Sequence, residues 1–166
     1  TSGANFSGKR YAHSATLMAS GQVMLAGGYD DVNYLASVQR YDATSNTWSG
    51  SGSLTVARAY HTATLLPSGK ILVVGGFGAG DTFLSGAELY DPVGNTWTSA
   101  GNLTDARCGH TATLLASGKV LVVGGANGGT CASPSTQLAS VELYDPVGNS
   151  WSTVASLAIG RNQHTA

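Results

Sequence analysis

The chain has 166 residues, enough for one domain with a sizeable core. Charged residues make up 10%, against roughly 25% in an ordinary globular protein. The formal net charge is -1 and the lysines and arginines are scattered, so the electrostatic footprint of a nucleic-acid binder is absent. No apolar run approaches the roughly 20 residues of a membrane helix, and Thr1-Ser2-Gly3-Ala4 has neither the basic nor the apolar region of a signal sequence. Neither nucleic acid nor a membrane is expected as a partner.

Taken in chain order, one unit recurs. An Arg-x-x-His signature opens it at Arg10 and His13, again at Arg58 and His61, at Arg107 and His110, and once more at Arg161 and His164. A first strand follows, such as His61 to Leu66, alternating and rich in β-branched residues. A Ser-Gly turn (Ser68-Gly69, Ser117-Gly118) leads into the apolar runs Ile71 to Val74 and Val120 to Val123, which suit strands covered on both faces. A glycine doublet ends the run at Gly27-Gly28, Gly75-Gly76 and Gly124-Gly125. After a variable loop, Glu88-Leu89-Tyr90 or Val141 to Tyr144 forms a third strand, and Asp91-Pro92-Val93-Gly94-Asn95 is a turn by its chemistry. The fourth strand carries Trp48, Trp97 or Trp151, each seven residues after its tyrosine. No segment sustains a helical period, so the predicted class is all-β.

Four-strand units repeating about every 50 residues with these signals resemble the kelch family of β-propellers, in its bacterial style. The resemblance covers the whole chain and implies four-stranded antiparallel blades: a remnant of a preceding blade at 1–9, blades at 10–57, 58–106 and 107–160, and the start of a fourth at 161–166. The first copy departs mildly, with Ala26 before its glycines and Gln39-Arg40 where the next copy has Glu88-Leu89. A four-stranded sheet cannot cover both its apolar faces alone, so each blade must stack on neighbours, and propellers close with about four to eight blades. With about three present, two copies are expected to close a six-bladed ring, unless the chain belongs to a longer protein. Thr1 to Ala15 and Ser152 to Ala166 occupy equivalent repeat positions, so one of each pair is expected to fray or be displaced at a junction.

A residue found at the same place in every blade is most economically a blade-building residue. This argues against a Ser-His-Asp triad or a histidine-ligated metal. His13, His61, His110 and His164 are expected to satisfy backbone groups. Arg10, Arg58, Arg107 and Arg161 are expected to pair with Glu88, Glu142 or carbonyls through the planar guanidinium. The doublets, Gly75-Gly76 among them, superficially resemble a phosphate loop, but no helix follows them. Their expected role is to let the tyrosine and tryptophan of their own blade pack close.

Function should lie where the copies differ. Strands alternate in direction, so the loops joining second to third strands share a face with those joining one blade to the next. On that face the variable residues are Tyr11, Tyr29, Asp30, Asp31, Asn33, Tyr34, Tyr60, Phe77, Asp81, Phe83, Asn127, Asn162 and Gln163, aromatics beside short polar groups that suit a protein or carbohydrate ligand. Asp30, Asp31 and Asn33 lack a full calcium ligand set. Cys108 and Cys131 fall on this face of one blade, which favours a disulfide clipping the loop 127–137 over two free thiols. Without histidines at ligand spacing they do not point to zinc. Asn5 and Asn102 open short glycosylation patterns of little weight.

Since the kelch family is known mainly for protein binding, the resemblance implies a non-catalytic assembly and binding scaffold without a cofactor; its location is open, with a secreted or cell-surface setting favoured. Its other implications are a fragment of a copper enzyme similar to galactose oxidase, or a purely structural propeller of a bacterial surface protein. No single-copy His-Tyr-Cys constellation favours the enzyme.

Overall fold

The computed structural model describes residues 8–165, and no helix occurs among them. Most of the remnant at 1–9, the Asn5 pattern and Ala166 lie outside the described residues. The first sheet contains β1 (Ser14–Leu17), β2 (Val23–Ala26), β3 (Val38–Asp42) and β4 (Thr47–Ser51), antiparallel and in sequence order. The second begins with β5 (Thr62–Leu65) and β6 (Ile71–Val74). A small hairpin, β7 (Phe77–Gly78) and β8 (Thr82–Phe83), interrupts it before β9 (Gly86–Asp91) and β10 (Thr96–Asn102) complete the sheet. The third repeats this plan: β11 (Thr111–Leu114), β12 (Val120–Val123), the hairpin β13 (Ala126–Gly129) and β14 (Pro134–Gln137), then β15 (Val141–Asp145) and β16 (Ser150–Val154). Within these blades the variable second-to-third-strand loops are thus partly ordered as hairpins.

The core sits between blades. One cluster joins Met24, Ala26 and Val38 of the first blade to Ile71, Val73 and Tyr90 of the second. The other joins Leu72, Val74 and Ala87 of the second to Val120, Val122 and Tyr144 of the third. Alternation in β6 sends Ile71 and Val73 one way and Leu72 and Val74 the other, so all four are fully buried. In the flanking blades only half of each run is covered: Met24 and Ala26 are buried but Val23 and Leu25 are not, and Val120 and Val122 are buried but Leu121 and Val123 are not.

The recurring residues build the joints between blades. Trp97 Nε1 donates to the Gly52 carbonyl at 2.6 Å, just past β4, and Trp151 Nε1 to that of Ala100 in β10 at 2.8 Å, each reaching the outer edge of the preceding blade. Tyr90 and Trp97 stack at 5.0 Å, as do Tyr144 and Trp151, with Tyr41 and Trp48 at 5.1 Å. The phenols of Tyr41, Tyr90 and Tyr144 donate to the side-chain oxygens of Asn46, Asn95 and Asn149, whose left-handed backbones shape the outer turns.

The buried arginines close the other end of each sheet. Arg58 donates to the carbonyls of Gly75 and Gly86 at 2.9 and 2.8 Å and to Glu88 at 2.6 Å. Arg107 does the same with Gly124, Ser140 and Glu142. Each glutamate also accepts from the chain entering its blade, Glu88 from the N–H groups of Thr55 and Val56, Glu142 from those of Thr104 and Asp105. In the first blade, where Gln39 replaces the glutamate, Arg10 reaches Gly27 and Ser37.

Two expectations about these residues change. At His61, His110 and His164 the Nε2 atom engages a side chain instead of a backbone group, while His61 also keeps a backbone hydrogen bond with Ala26. Nε2 shares a hydrogen bond with a hydroxyl at the start of the preceding blade's inner strand: His61 with Ser14 at 2.9 Å, His110 with Thr62 at 2.9 Å, and His164 with Thr111 at 3.2 Å. The first glycine of each doublet makes room for the following blade and the second for the entry segment of its own, as Gly76 does for Ala59 and His61; neither makes room for the tyrosine and tryptophan. A Cβ on Gly75 would stand 2.6 Å from the Arg107 carbonyl oxygen and 3.0 Å from the His110 ring, and Gly27 and Gly124 are crowded in the same way.

Candidate functional site

The second residue after each opening arginine has a left-handed backbone: Ala12 at φ 53°, Tyr60 at 56°, Gly109 at 60° and Gln163 at 50°. Side-chain sterics disfavour this region for residues other than glycine, so something must hold them there. The hold is a hydrogen-bonded chain across the blades: Tyr60 N donates to Ala12 O at 2.9 Å, Gly109 N to Tyr60 O at 3.1 Å, and Gln163 N to Gly109 O at 2.7 Å. Beside it, the residue just after each arginine pairs with the residue just after a glycine doublet, Tyr11 with Tyr29, Ala59 with Phe77 and Cys108 with Ala126. Both kinds of loop therefore meet on one face.

There they form a cleft of about 160 Å³ lined by Tyr11, Tyr29 and Tyr34 from the first blade, Tyr60, Phe77 and Asp81 from the second, and Thr130, Cys131 and Ala132 from the third. Its aromatics are in contact as a series: Tyr11 to Tyr29 at 5.5 Å, Tyr29 to Tyr34 at 4.8 Å, Tyr34 to Phe77 at 6.0 Å and Phe77 to Phe83 at 4.9 Å, with planes tilted 46° to 81°. Phe77 is buried and braced by Phe83, whereas Tyr11 is exposed at the rim. The Tyr34 hydroxyl donates to Asp81 at 3.4 Å. Burial, and then the Asp81 carboxylate, raise the Tyr34 pKa above its ordinary value, so the phenol stays neutral.

The disulfide between Cys108 and Cys131, Cα atoms 6.0 Å apart, fixes the third-blade wall. It packs against Phe77, Tyr34, Tyr60 and Phe83, and Gln163 donates to the Cys131 carbonyl at 3.1 Å. Sequence reasoning singled out the two cysteines but not Thr130 or Ala132. Their polar insertion carries no periodic pattern, and the disulfide was the available signal.

Other loop-face residues do not line this cleft. Asp30 accepts from the N–H groups of Val32 and Asn33 and caps its own turn; those bonds lower its pKa. Asp31 forms an ion pair with Lys9. Asn127 is exposed on β13. Among the described residues no group of histidine, cysteine and acidic side chains has the arrangement of a metal site.

A family model for the KLHDC2/KLHL20/DRC7 Kelch-repeats domain matches residues 1–166. The chain belongs to the kelch-repeat family. Among solved structures, that of YjhT superposes with a TM-score of 0.78 at 17% identity, covering 98% of this chain and 57% of that one. At that identity the likeness shows the fold alone, and the kelch chain spans little more than half the neighbour's length. No curated protein matches it in sequence. A kelch propeller is a binding or scaffold type of domain, and its blades here correspond to the three large sheets.

Proposed function

We propose that this kelch segment is a non-catalytic binding scaffold whose loop face holds a protein or carbohydrate ligand. One observation carries the reading: the aromatic cleft is assembled from the variable positions of three successive blades. The repeated framework supports the non-catalytic part. His61 and His110 are buried and engaged with hydroxyls of the neighbouring blade, and Arg58 and Arg107 are committed to buried glutamates. Ring closure by a second copy belongs to the same proposal. Val23 and Leu25 on one flank and Leu121 and Val123 on the other lack the cover that Ile71 to Val74 enjoy between two blades. Two copies meeting flank to flank would supply it.

The ligand part is tested on peptide and glycan arrays with the chain and with Tyr29→Ala and Tyr34→Ala. Capture that both substitutions abolish without loss of fold supports it, and capture indifferent to them overturns it. Light scattering tests closure: a dimer is expected, and a stable monomer at high concentration rejects it.

A further inference from the structure

Resting on the reading of the loop face as the binding face, we propose that the aromatic cleft selects an alkylammonium cation, either a free quaternary amine or an alkylated lysine side chain. Aromatic residues supply five of the nine lining residues, four of them tyrosines, and the single charged group is Asp81. Aromatic π faces carry negative potential, and tilted neighbouring rings turn such faces in more than one direction. No lysine or arginine lines the walls. The nearby Lys9 is held by Asp31, while Arg58 and Arg107 are drawn into the blade interiors by Glu88 and Glu142. Asp81 makes no ion pair among the described residues, so its charge faces the cleft uncompensated.

Size and chemistry favour the cation over an anion or a folded segment. A volume of about 160 Å³ is close to the roughly 150 Å³ cavity that accepts one benzene, which admits a tetramethylammonium-sized head but no folded segment. An anion would meet a carboxylate and π faces. A sugar ring would draw on Asp81, Thr130 and the tyrosine hydroxyls, none of which needs a charged partner, so the charge of the ligand separates the two readings. A neighbouring depression of about 330 Å³ shares Tyr29, Tyr34 and Asp81, and it gives the rest of the ligand a way out beside the head group.

The experiment titrates the full chain with choline, with a trimethyllysine peptide and with the uncharged isostere 3,3-dimethyl-1-butanol, following the tyrosine ring signals by NMR. Choline is expected to bind at least about tenfold more tightly than the isostere. Asp81→Asn, which keeps a residue that tolerates the left-handed backbone at φ 54°, should weaken choline several-fold and leave the isostere unchanged. Binding of the peptide well beyond choline assigns the cation to a protein partner, and equal binding assigns it to a small molecule; both uphold the proposal. Isostere and choline binding equally in the cleft overturns the cation selectivity but leaves the loop face as a binding site. Tyrosine signals unmoved by all three compounds sink this inference, and the binding-face reading then stands or falls on the arrays alone.

Discussion

The carbonyl oxygen of Arg107 occupies the space a side chain on Gly75 would need, 2.6 Å from where its Cβ would lie. The same oxygen accepts the Gly76 N–H at 2.8 Å. Arg107 thus joins two blades, its carbonyl holding the second while its guanidinium ties Gly124, Ser140 and Glu142 of the third. The spacing between blades is set by glycine, because any Cβ would push the sheets apart.

Gly75→Ala is therefore expected to destabilise the chain by several kcal/mol, combining the cost of a left-handed alanine, about 1–2 kcal/mol, with the clash. Gly69→Ala is the control. Its φ of +82° carries a similar backbone cost, but nothing lies within 4 Å of the added Cβ. Denaturant midpoints should fall well below the control, and equal losses would show that blade spacing yields.

Replacing Arg107 by leucine leaves Glu142 buried without its cation, and breaking such a pair costs about 3–5 kcal/mol. Arg10→Leu should cost less, about 1–3 kcal/mol, because Gln39 stands at the glutamate position and no buried charge is stranded. Thermal or urea melts of the two variants check the order. Unchanged melting of Arg107→Leu would reject a structural role.

The blade plan was legible because each element has a local cause repeated in every copy: alternation in Thr62 to Leu65, the doubly covered run Ile71 to Val74, and the asparagine turn after Tyr90. The loop face was legible as a set of variable residues, and Tyr11, Tyr29, Tyr34, Tyr60, Phe77 and Asp81 do converge there. What could not be read was how residues meet across blades. Ser14, Thr62 and Thr111 look like ordinary strand residues, and nothing local marks them as histidine partners. The left-handed series showed itself at one position, Gly109, while Ala12, Tyr60 and Gln163 conceal the same backbone because hydrogen bonds between blades impose it.

Cys131→Ser should loosen the β13–β14 hairpin more than the blades. The bridge closes 23 residues of sequence separation, which in chain-entropy terms contributes about 3 kcal/mol, and the hairpin leans on the cleft through it. Hydrogen exchange should speed up around Ala126 to Gln137 and remain slow in β12 and β15. Ligand capture by the cleft should weaken as its Thr130 to Ala132 wall moves away. Uniform loss of protection across the third blade would show that the bridge supports the whole sheet.

Acid should weaken the joints between blades before it reaches most carboxylates. Burial, reinforced by Arg58 and Arg107 respectively, lowers the pKa of His61 and His110 from 6.5 to about 3. Between those values the unfolded chain binds protons that the folded one refuses, so stability is complete above about pH 6.5 and falls as pH drops toward 3. Each histidine contributes a slope of up to about 1.4 kcal/mol per pH unit. Backbone hydrogen bonds to Asp91 and a side-chain bond from Lys119 to Asp145 lower those carboxyl pKa values, so their losses, of the same sign, begin at lower pH. Urea midpoints taken between about pH 4.5 and 6.5 consequently isolate the histidines. Burial also lowers the pKa of His13 and His164, which adds slope of the same sign, so His110→Gln, which keeps a polar partner for Thr62 but does not titrate, should flatten the dependence by somewhat less than half. A slope unaltered by that substitution would place the acid sensitivity elsewhere in the fold.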